Sequence, residues 1–482
     1  MKVLDKKEFL NRILQDNPYF QKLDLIDRAY DFCLLAHSGQ TRKSGEPYAI
    51  HPISVALEVS KLNIDEASVV AALLHDVIED TIYKKKDIER EFSGEIANIV
   101  EGVTKFDKIQ FKEKDIRQVE NFRKLCLALS KDVRVAIIKL CDRLHNMNTI
   151  EYQKPEKQKE IAFETLWMYS GLAEQIGLQK IKNDLQNMSF KILYPDEYSD
   201  IVSQVNQLEE DFKSKNVIED IIDDLDGTMK SHEIMANITG RKKTPYSIWN
   251  KMRKKNIPFE EVSDIMAFRV IVGNIEDCYR ALGAIHTTYN VIPGKFKDFI
   301  SLPKSNGYRS LHTKIMGPKG RIVDIQIRTQ QMHEEDEYGL AAHWQYKQGL
   351  SREEQIKYLK SSWINRVVNI LQNSSNNDVL QDAQIELDER RVVVFTKDGK
   401  AMYLPYKSTI LDFAFELGEK IGLHFEYAVV NGQIVGMDYV LNNGDKIDIK
   451  TTNKPQISNV WLNYTITGKS RNAIIEYLGQ KK

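Results

Sequence analysis

Apolar residues in the first part of the chain recur every three or four positions, the spacing of one face of an α-helix. Clear examples are IDRAYDFCLLAH at 26–37 and DVRVAIIKLCDRLHNM at 132–147. No run there shows the alternation of a strand, so the pattern predicts an all-α domain over residues 1–200. The acidic stretch LEEDFKSKNVIEDIIDDL at 208–225 predicts a solvated helix that closes this domain.

After Gly240 the pattern changes to short runs rich in β-branched residues, with Gly or Pro near their ends. Four such runs predict strands, and helical runs separate them; the runs lie at 265–272, 296–301, 310–317 and 321–329. We therefore expect a mixed α/β domain over 201–347, and a polar helical linker over 348–388.

A third pattern, over residues 389–452, alternates strands with tight Gly turns. KDGK at 397–400 and VNGQ at 430–433 are typical hairpin sequences, and a single helix is predicted at 409–421. This predicts a small β-rich domain crossed by one helix. Residues 453–482 are weakly amphipathic and predict a C-terminal helical segment.

Composition excludes several classes of protein. The formal net charge is -1, so any anion site is a local patch. The four cysteines contain no CxxC and fit reduced thiols better than a disulfide framework; they are Cys33, Cys126, Cys141 and Cys278. The N-terminus is too charged for a secretion signal, and no run has the length of a membrane span. We expect a cytoplasmic multidomain protein.

The apolar run VVAALLHDVIEDT at 69–81 contains a cluster of ionisable residues. On a single helix, His75 and Asp76 approach an ion from neighbouring positions, and Glu79 shares their face. Asp80 flanks Glu79. Burying such groups is costly unless they are paired or bind a metal ion.

Two more residues of the same kind lie in other apolar helical runs. They are His51 in AIHPISVAL and Asp142 in KLCDRLHNM. Two imidazoles and two carboxylates suit a divalent ion such as Mn²⁺, which activates water for hydrolysis. The alternative is that each histidine is a core residue with satisfied hydrogen bonds.

A basic cluster follows in GRKKTPYSIWNKMRKK at 240–255, with seven Lys or Arg residues after Gly240. A solvated basic helix is the simple interpretation. However, Asp264 and Asp324 lie on two predicted strands nearby, and two such carboxylates can hold Mg²⁺ between phosphates. The combination favours a nucleotide triphosphate site.

The segment KFKDFISLPKSNGYRSLHTK at 295–314 places a tyrosine, Tyr308, among cations. Such a ring is a platform for a purine base, although a tyrosine in a strand is more often part of a core.

These strings resemble one family. RKSGEPYAIHP, ALLHDVIEDT and KLCDRLHNM resemble the HD-type hydrolase domain of the RelA/SpoT homologue (Rel) family, and the domain at 201–347 resembles its synthetase domain. Residues 389–452 resemble its TGS domain, a β-grasp module. The family synthesises the alarmones ppGpp and pppGpp from ATP and GDP or GTP, and hydrolyses them.

For the hydrolase domain, the resemblance implies that His51, His75, Asp76 and Asp142 bind Mn²⁺. It implies that Glu79 and Asp80 activate the water that removes the 3′-pyrophosphate. The nucleotide contacts that it implies are Arg42, Lys43, Ser44, Asn146 and Thr149.

For the synthetase domain, the resemblance implies that Asp264 holds Mg²⁺ and that Tyr308 stacks on the acceptor guanine. Asp324 stands where the family has a glutamate that acts as ion ligand or base. The nucleotide contacts implied are Arg241, Lys243, Ser247, Lys251, Arg269, Lys295, Lys297, Lys304, Asn306 and His312.

In the TGS domain, His424 matches a histidine implicated in contact with deacylated tRNA on the ribosome; a packing role is the alternative. The resemblance implies a bifunctional enzyme that lacks the C-terminal regulatory region beyond TGS. Two alternatives stay open: a hydrolase-dominant enzyme with a weak synthetase, and a non-catalytic tRNA- or ribosome-binding sensor.

Overall fold

The structure is a computed structural model that describes residues 3–18, 20, 23–104, 132–214, 216–262, 265–304, 307–317, 320, 322–338, 391–455 and 457–480. The predicted linker at 348–388 lies outside the described residues, as do Cys126, Asp264 and Asn306. The chain divides into two compact units, one within 1–74 and 139–348 and the other within 75–138 and 349–482. No described helix is long and apolar enough to span a membrane.

The described residues of the N-terminal part form helices joined by turns and loops and contain no strand, as predicted. Asp5 and Asp65 cap α1 and α4 with their side chains, and Pro155 starts α9. The helices are α1 (Lys6–Asp16), α2 (Asp24–Ala36), α3 (Ile50–Ser60), α4 (Glu66–Leu73), α5 (Val77–Asp80), α6 (Lys85–Glu91), α7 (Gly94–Thr104), α8 (Val133–Asn148), α9 (Pro155–Glu164), α10 (Ser170–Gln175) and α11 (Gln179–Leu193).

The run 69–81 does not form the single helix that was expected. Helix α4 ends at Leu73, and α5 begins at Val77, with Asp76 at its N-cap position. His75 and Asp76 therefore lie in the turn between two helices. The apolar pattern could not locate this break, because the residues on both sides of it are buried.

Two further helices, α12 (Pro195–Ser214) and α13 (Val217–Ser231), occupy the acidic stretch that was expected to be one solvated helix. That expectation was wrong for α13. Its apolar face, which includes Ile221 and Met229, is buried in the core of the following α/β part. Its acidic residues lie on the other face, so composition alone hid the amphipathic pattern.

The α/β part is built on a sheet of order β1-β2-β6-β5-β3, with β4 paired to β5. Only the pairing of β2 with β6 is parallel. The strands are β1 (Ala236–Lys242), β2 (Met266–Val272), β3 (Asn290–Val291), β4 (Lys297–Asp298), β5 (Leu311–Met316) and β6 (Ile322–Thr329); the helices are α14 (Pro245–Lys255), α15 (Ile275–Thr288) and α16 (Gln330–Tyr338).

Strands β2, β5 and β6 agree with the predicted runs, and β4 covers only two residues of the run 296–301. Strand β1 was not predicted. It is an edge strand with half-buried and exposed positions, and in ANITGRK only Ala236 and Ile238 are apolar, so the alternation is too short to indicate a strand. The basic helix starts later than expected, at Pro245, where the Thr244 side chain caps it.

The C-terminal part forms a second sheet of order β10-β9-β11-β7-β8. Both predicted hairpins are present, and Asn431 and Gly432 make the second turn with φ of 51° and 86°. The elements are β7 (Arg391–Thr396), β8 (Ala401–Pro405), α17 (Ile410–Leu417), α18 (Glu419–Leu423), β9 (Phe425–Val430), β10 (Gln433–Val435), β11 (Lys446–Thr451) and α19 (Gly468–Gln480). The helix expected at 409–421 is thus two helices.

The C-terminal segment packs on this sheet. Trp461 and Ile474 belong to its buried core. Buried Asp412 caps the start of α17 together with Thr409, and accepts hydrogen bonds from the backbone N–H groups of Ile466 (3.1 Å) and Thr467 (3.0 Å). The segment is therefore packed into the core of this C-terminal part.

Candidate active sites

The structure brings together three of the four predicted metal ligands. His51, His75 and Asp142 each offer one ligand atom, and these atoms lie within 4.8 Å of one another. Their exposed fractions are only 3%, 1% and 4%. Two imidazole nitrogens and one carboxylate in a buried space suit a divalent cation that accepts both N and O ligands.

A further histidine, His145, orients His51. Its Nδ1 lies 2.9 Å from Nδ1 of His51 and 3.3 Å from Nη1 of Arg42. Because the Arg42 guanidinium can only donate, Nδ1 of His145 is an acceptor, and Nδ1 of His51 carries the proton. Nε2 of His51 is then the nitrogen left to offer a lone pair to a metal ion, and it faces Oδ1 of Asp142 at 3.2 Å.

Asp142 is held by two more neighbours. The Lys139 ammonium lies 2.9 Å from Oδ2, with both side chains buried, and the Asn146 amide donates to Oδ1 at 2.6 Å. These contacts stabilise the carboxylate in its charged form and fix its orientation. Sequence analysis missed His145 and Lys139; each lies three residues from Asp142, one helical turn away, which is the signal that would have indicated them.

The remaining hydrolase candidates lie next to the turn. Oδ1 of Asp76 is 3.2 Å from Nε2 of His75. Glu79 is half-buried and Asp80 is exposed, both on α5. Asp76 therefore adjoins a member of the cluster, and the two acids follow it within one turn.

The loop before α3 contacts the last turn of α8 through predicted nucleotide residues. Arg42 donates to Oδ1 of Asn146 at 2.8 Å and to Oγ1 of Thr149 at 3.3 Å. Lys43 donates to Gln153 at 2.7 Å. Ser44 donates to Glu46 at 3.2 Å within the loop. Three of the five predicted contacts, Arg42, Asn146 and Thr149, thus form one hydrogen-bonded group beside the metal cluster.

In the synthetase part, Asp324 lies in the middle of β6. It is opposite Ala267 of β2 and Lys314 of β5, and its Oδ2 is 3.1 Å from the Lys314 ammonium. Arg269 is two positions further along β2, opposite Gln326. Residues two apart on a strand share a face, so the carboxylate and the guanidinium belong to one surface of the sheet.

The other cations predicted to bind ATP surround β1 and α14. Arg241 is on β1, opposite Ala267, and Lys243 follows the strand. Ser247 lies in the first turn of α14, with its hydroxyl 2.8 Å from that of Thr244. Lys251 is one turn further along the helix. The first backbone N–H groups of α14 are already engaged, since Tyr246 donates to Oδ1 of Asn187 at 3.0 Å and Ser247 to Oγ1 of Thr244 at 3.4 Å. An anion here would therefore be bound by side chains.

The acceptor-side residues form an aromatic group. Oη of Tyr308 is 2.8 Å from Nε2 of His312, and the Phe299 ring is edge-on to both. The Lys304 ammonium is 5.2 Å from the centre of the Tyr308 ring. Burial, with nearby Asp336, raises the pKa of Tyr308 to about 12. Burial, with Lys304 and other cations, lowers the pKa of His312 to about 3, so this imidazole is neutral at pH 7.

The basic pair Lys295 and Lys297 is exposed, and Lys297 is opposite His312 in the β4–β5 pairing. Asp298 turns inward and accepts hydrogen bonds from Ser301 (2.7 Å) and Tyr279 (3.0 Å). Burial alone would raise the pKa of Asp298, but these hydrogen bonds lower it overall. The carboxylate therefore anchors the loop that presents the two lysines.

In the C-terminal part, His424 follows α18 and is half-buried. Its Nδ1 lies 2.9 Å from the carbonyl oxygen of Thr452, and the Thr452 N–H donates to the His424 carbonyl oxygen at 2.8 Å. The imidazole is thus oriented by the end of β11.

Three family models match the chain, in the expected order. They describe an HD domain at residues 29–179, a region found in RelA/SpoT proteins at 240–351, and a TGS domain at 392–451. All three domains of the expected fold are therefore present.

Curated relatives match almost the full chain. The guanosine-3′,5′-bis(diphosphate) 3′-pyrophosphohydrolase of Aquifex aeolicus is 41% identical, over 99% of this chain and 67% of its own. The GTP pyrophosphokinase of Myxococcus xanthus is 37% identical, over 95% of this chain and 61% of its own. The chain thus spans about three fifths to two thirds of the length of these relatives.

Among solved structures, small alarmone synthetase 1 of Bacillus subtilis bound to pppGpp is 23% identical, over 35% of this chain and 95% of its own, with a TM-score of 0.25. The domain order and the identity to the Aquifex aeolicus relative along nearly the whole sequence lead to one conclusion: the chain belongs to the RelA/SpoT family.

Proposed function

We propose that this chain both synthesises and hydrolyses (p)ppGpp. The observation that supports this most is the presence, in one chain, of a buried His51–His75–Asp142 cluster and a separate sheet face with Asp324 and several cations. The names of the two curated relatives, a pyrophosphohydrolase and a pyrophosphokinase, cover the two reactions.

For hydrolysis, we propose that His51, His75, Asp76 and Asp142 hold Mn²⁺. The bound ion would supply Lewis acidity and a water of lowered pKa. Glu79 and Asp80 would serve as the base that takes the proton of the attacking water, and cleavage of the 3′-pyrophosphate would give GDP or GTP and pyrophosphate.

Recognition of the alarmone would fall to the hydrogen-bonded group beside the cluster. Arg42 already bonds Asn146 and Thr149, so its guanidinium is oriented before the nucleotide arrives. Lys43 and Ser44 lie on the same loop and offer further donors to phosphate oxygens.

For synthesis, we propose that Asp324 accepts the 3′-hydroxyl proton of GDP or GTP and that Asp264 holds Mg²⁺. Arg241, Lys243, Lys251 and Arg269 neutralise the ATP phosphates as pyrophosphate is transferred, with Ser247 at the start of α14. Tyr308 stacks on the acceptor guanine. The other acceptor-side contacts are Lys295, Lys297, Lys304, Asn306 and His312.

One observation favours a second candidate, a hydrolase-dominant enzyme with a weak synthetase. Asp324 is held by an ion pair with Lys314, and its side chain is one methylene shorter than the glutamate of the family. Replacing it by the longer glutamate should raise the rate of synthesis. An Asp324→Glu variant with no gain in synthesis would argue against this candidate.

We also propose that the TGS domain contacts deacylated tRNA and the ribosome, with His424 as one contact, and that the protein works in the cytoplasm. Since simultaneous synthesis and hydrolysis would only consume ATP, we infer that each conformation favours one activity. Nucleotide titrations in which both activities remain fully on would contradict this coupling.

The first experiment measures both reactions with the purified chain. We expect pyrophosphate and GDP from ppGpp with Mn²⁺, and ppGpp and AMP from ATP and GDP with Mg²⁺. His75→Ala should abolish only hydrolysis, and Tyr308→Ala should strongly reduce only synthesis, so each variant is the folding control for the other. A folded chain with neither activity would support the non-catalytic sensor instead.

A further inference from the structure

Three consecutive acids on α16 pair with three arginines of the synthetase part. Glu335 lies 2.8 Å from Arg309, and Asp336 lies 2.5 Å from Arg328. The third acid, Glu337, lies 3.5 Å from Arg269, a predicted ATP contact. The helix therefore presents a short row of negative charge to a basic region of the nucleotide face.

The pairs differ in how firmly they hold. The Arg328 side chain is fully buried, and that of Asp336 is 7% exposed, so this pair is a fixed part of the core. The Glu337 side chain is 35% exposed and its contact with Arg269 is longer. Ion pairs of this second kind are weak and exchange readily.

Some N–H groups of the arginines in this basic region have no acceptor among the described residues. Nε of Arg269, and Nε and Nη2 of Arg328, are buried and have no hydrogen-bond acceptor within the residues that the structure describes. Burial, together with the charges of Arg328 and Arg241, lowers the pKa of Arg269 to about 10. Such a crowded set of guanidinium groups favours an anion that brings several acceptor oxygens.

These donors belong to the catalytic face. Asp324, Gln326 and Arg328 alternate along β6. Their partners on β2 are Ala267, Arg269 and Ile271, in that order. Alternation places these side chains on one surface of the sheet. An anion drawn to Arg269 is therefore close to the carboxylate proposed as the base.

We propose that Glu337 is an internal counter-ion of Arg269 that the triphosphate of ATP displaces when it binds, so that this glutamate lowers the ATP affinity of the synthetase. This inference rests on the synthetase function proposed above. Asp336 keeps Arg328 in place throughout, whereas Glu337 exchanges its partner. The weak pair with Glu337 keeps the Arg269 side chain extended towards the face, and little free energy is lost when ATP breaks the pair.

The test measures binding of α,β-methylene-ATP to the full chain, together with KM for ATP and kcat of synthesis. Glu337→Gln and Glu337→Ala remove the charge, and Glu337→Asp keeps it. We expect about two- to fivefold tighter binding and lower KM for both neutral variants, with kcat changed less than twofold. Glu337→Asp should resemble the wild type, and the gain should shrink at high salt.

Glu334→Gln is the matched control, because it removes one charge from the same helix at a residue that accepts from the Gln330 amide. It should leave ATP affinity unchanged. Equal gains in Glu334→Gln and Glu337→Gln would mean a general charge effect and would overturn the proposal.

Unchanged or weaker binding in both neutral variants would also overturn it, since a merely structural glutamate gives loss and never gain. A wild-type chain that binds the analogue but makes no ppGpp would refute the synthetase function, while the affinities still decide the role of Glu337. A wild-type chain that does not bind the analogue would overturn both.

Discussion

The two candidate sites are built on opposite plans. The hydrolase cluster consists of His51, His75 and Asp142, all buried and all with ligand atoms within a few ångströms of one another. The synthetase face spreads its chemistry over several strands and a helix, and cations such as Lys295 and Lys297 on it are exposed. One site is a compact set of ligands; the other is a distributed charged surface.

The two sites differ in when their side chains reach the positions needed for binding. In the cluster, neighbours such as His145 and Lys139 fix the ligands before anything binds. On the synthetase face, the weak ion pair between Glu337 and Arg269 can open, and a bound nucleotide would take the place of the glutamate. We therefore expect a single substitution in the cluster to abolish hydrolysis, and a single substitution of an exposed residue on the face to change the rate of synthesis only in part. Buried residues of the face are the exception.

The largest effect should come from that exception. Asp336→Asn leaves the fully buried Arg328 charge without its partner, which costs about 3–5 kcal/mol of unfolding free energy. Urea denaturation of the purified chain measures it. The double change Arg328→Met with Asp336→Leu should recover most of the loss, because two apolar side chains replace the pair. A loss below about 1 kcal/mol in Asp336→Asn would show that the face tolerates the buried charge.

The next effect concerns the cluster. Asp142→Asn keeps the shape of a ligand but removes its charge and leaves the buried Lys139 ammonium without its carboxylate. We expect ppGpp hydrolysis to fall by about a hundredfold or more, because loss of a direct ligand exceeds loss of a supporting contact. Synthesis by the same preparation should stay within about twofold of the wild type, and a parallel fall in both activities would instead indicate unfolding.

A supporting residue should give an intermediate effect. His145→Ala removes the acceptor that fixes the proton on Nδ1 of His51, so Mn²⁺ affinity should fall by about 10- to 100-fold. His145→Gln offers an amide oxygen at a similar reach and should restore part of it. Mn²⁺ titration of hydrolysis gives the apparent affinity, and identical titrations for wild type and His145→Ala would remove His145 from the site.

The same contrast explains how much could be predicted from the sequence. The hydrolase ligands lie in apolar helical runs, where an ionisable residue is conspicuous, and the structure brings His51, His75 and Asp142 together as expected. The break between α4 and α5 was not predicted, because the apolar residues Leu73, Leu74 and Val77 on its two sides are all buried, so the helix periodicity continues across the turn.

The synthetase face was harder. Strands β2, β5 and β6 have clear alternation, but in the edge strand β1 only Ala236 and Ile238 are apolar and half-buried, and its end GRK is polar. The pairing of Arg328 with Asp336 depends on how α16 folds back against the sheet. No local pattern contains that information, so the acids of α16 looked like an ordinary solvated helix end.

The smallest expected effect is a change in unfolding free energy with pH that comes from the burial of His312 on the synthetase face. The pKa of His312 is lowered to about 3, whereas an unfolded histidine titrates near 6.5. Since the folded protein binds fewer protons, this residue lowers stability as pH falls through the window from about 6.5 to about 3. Between pH 6.5 and 5.5 the loss should be about 1 kcal/mol.

The control is His312→Gln, which can still accept from the Tyr308 hydroxyl but does not titrate. Denaturation curves of both proteins at the two pH values isolate the histidine, because all other titrating groups are shared. The variant should therefore lose about 1 kcal/mol less than the wild type over that unit. Equal losses would mean that His312 is solvated like an ordinary surface histidine. The environment of His312 would then be solvent-exposed, like that of Lys295 and Lys297, and not buried like the Arg328–Asp336 pair.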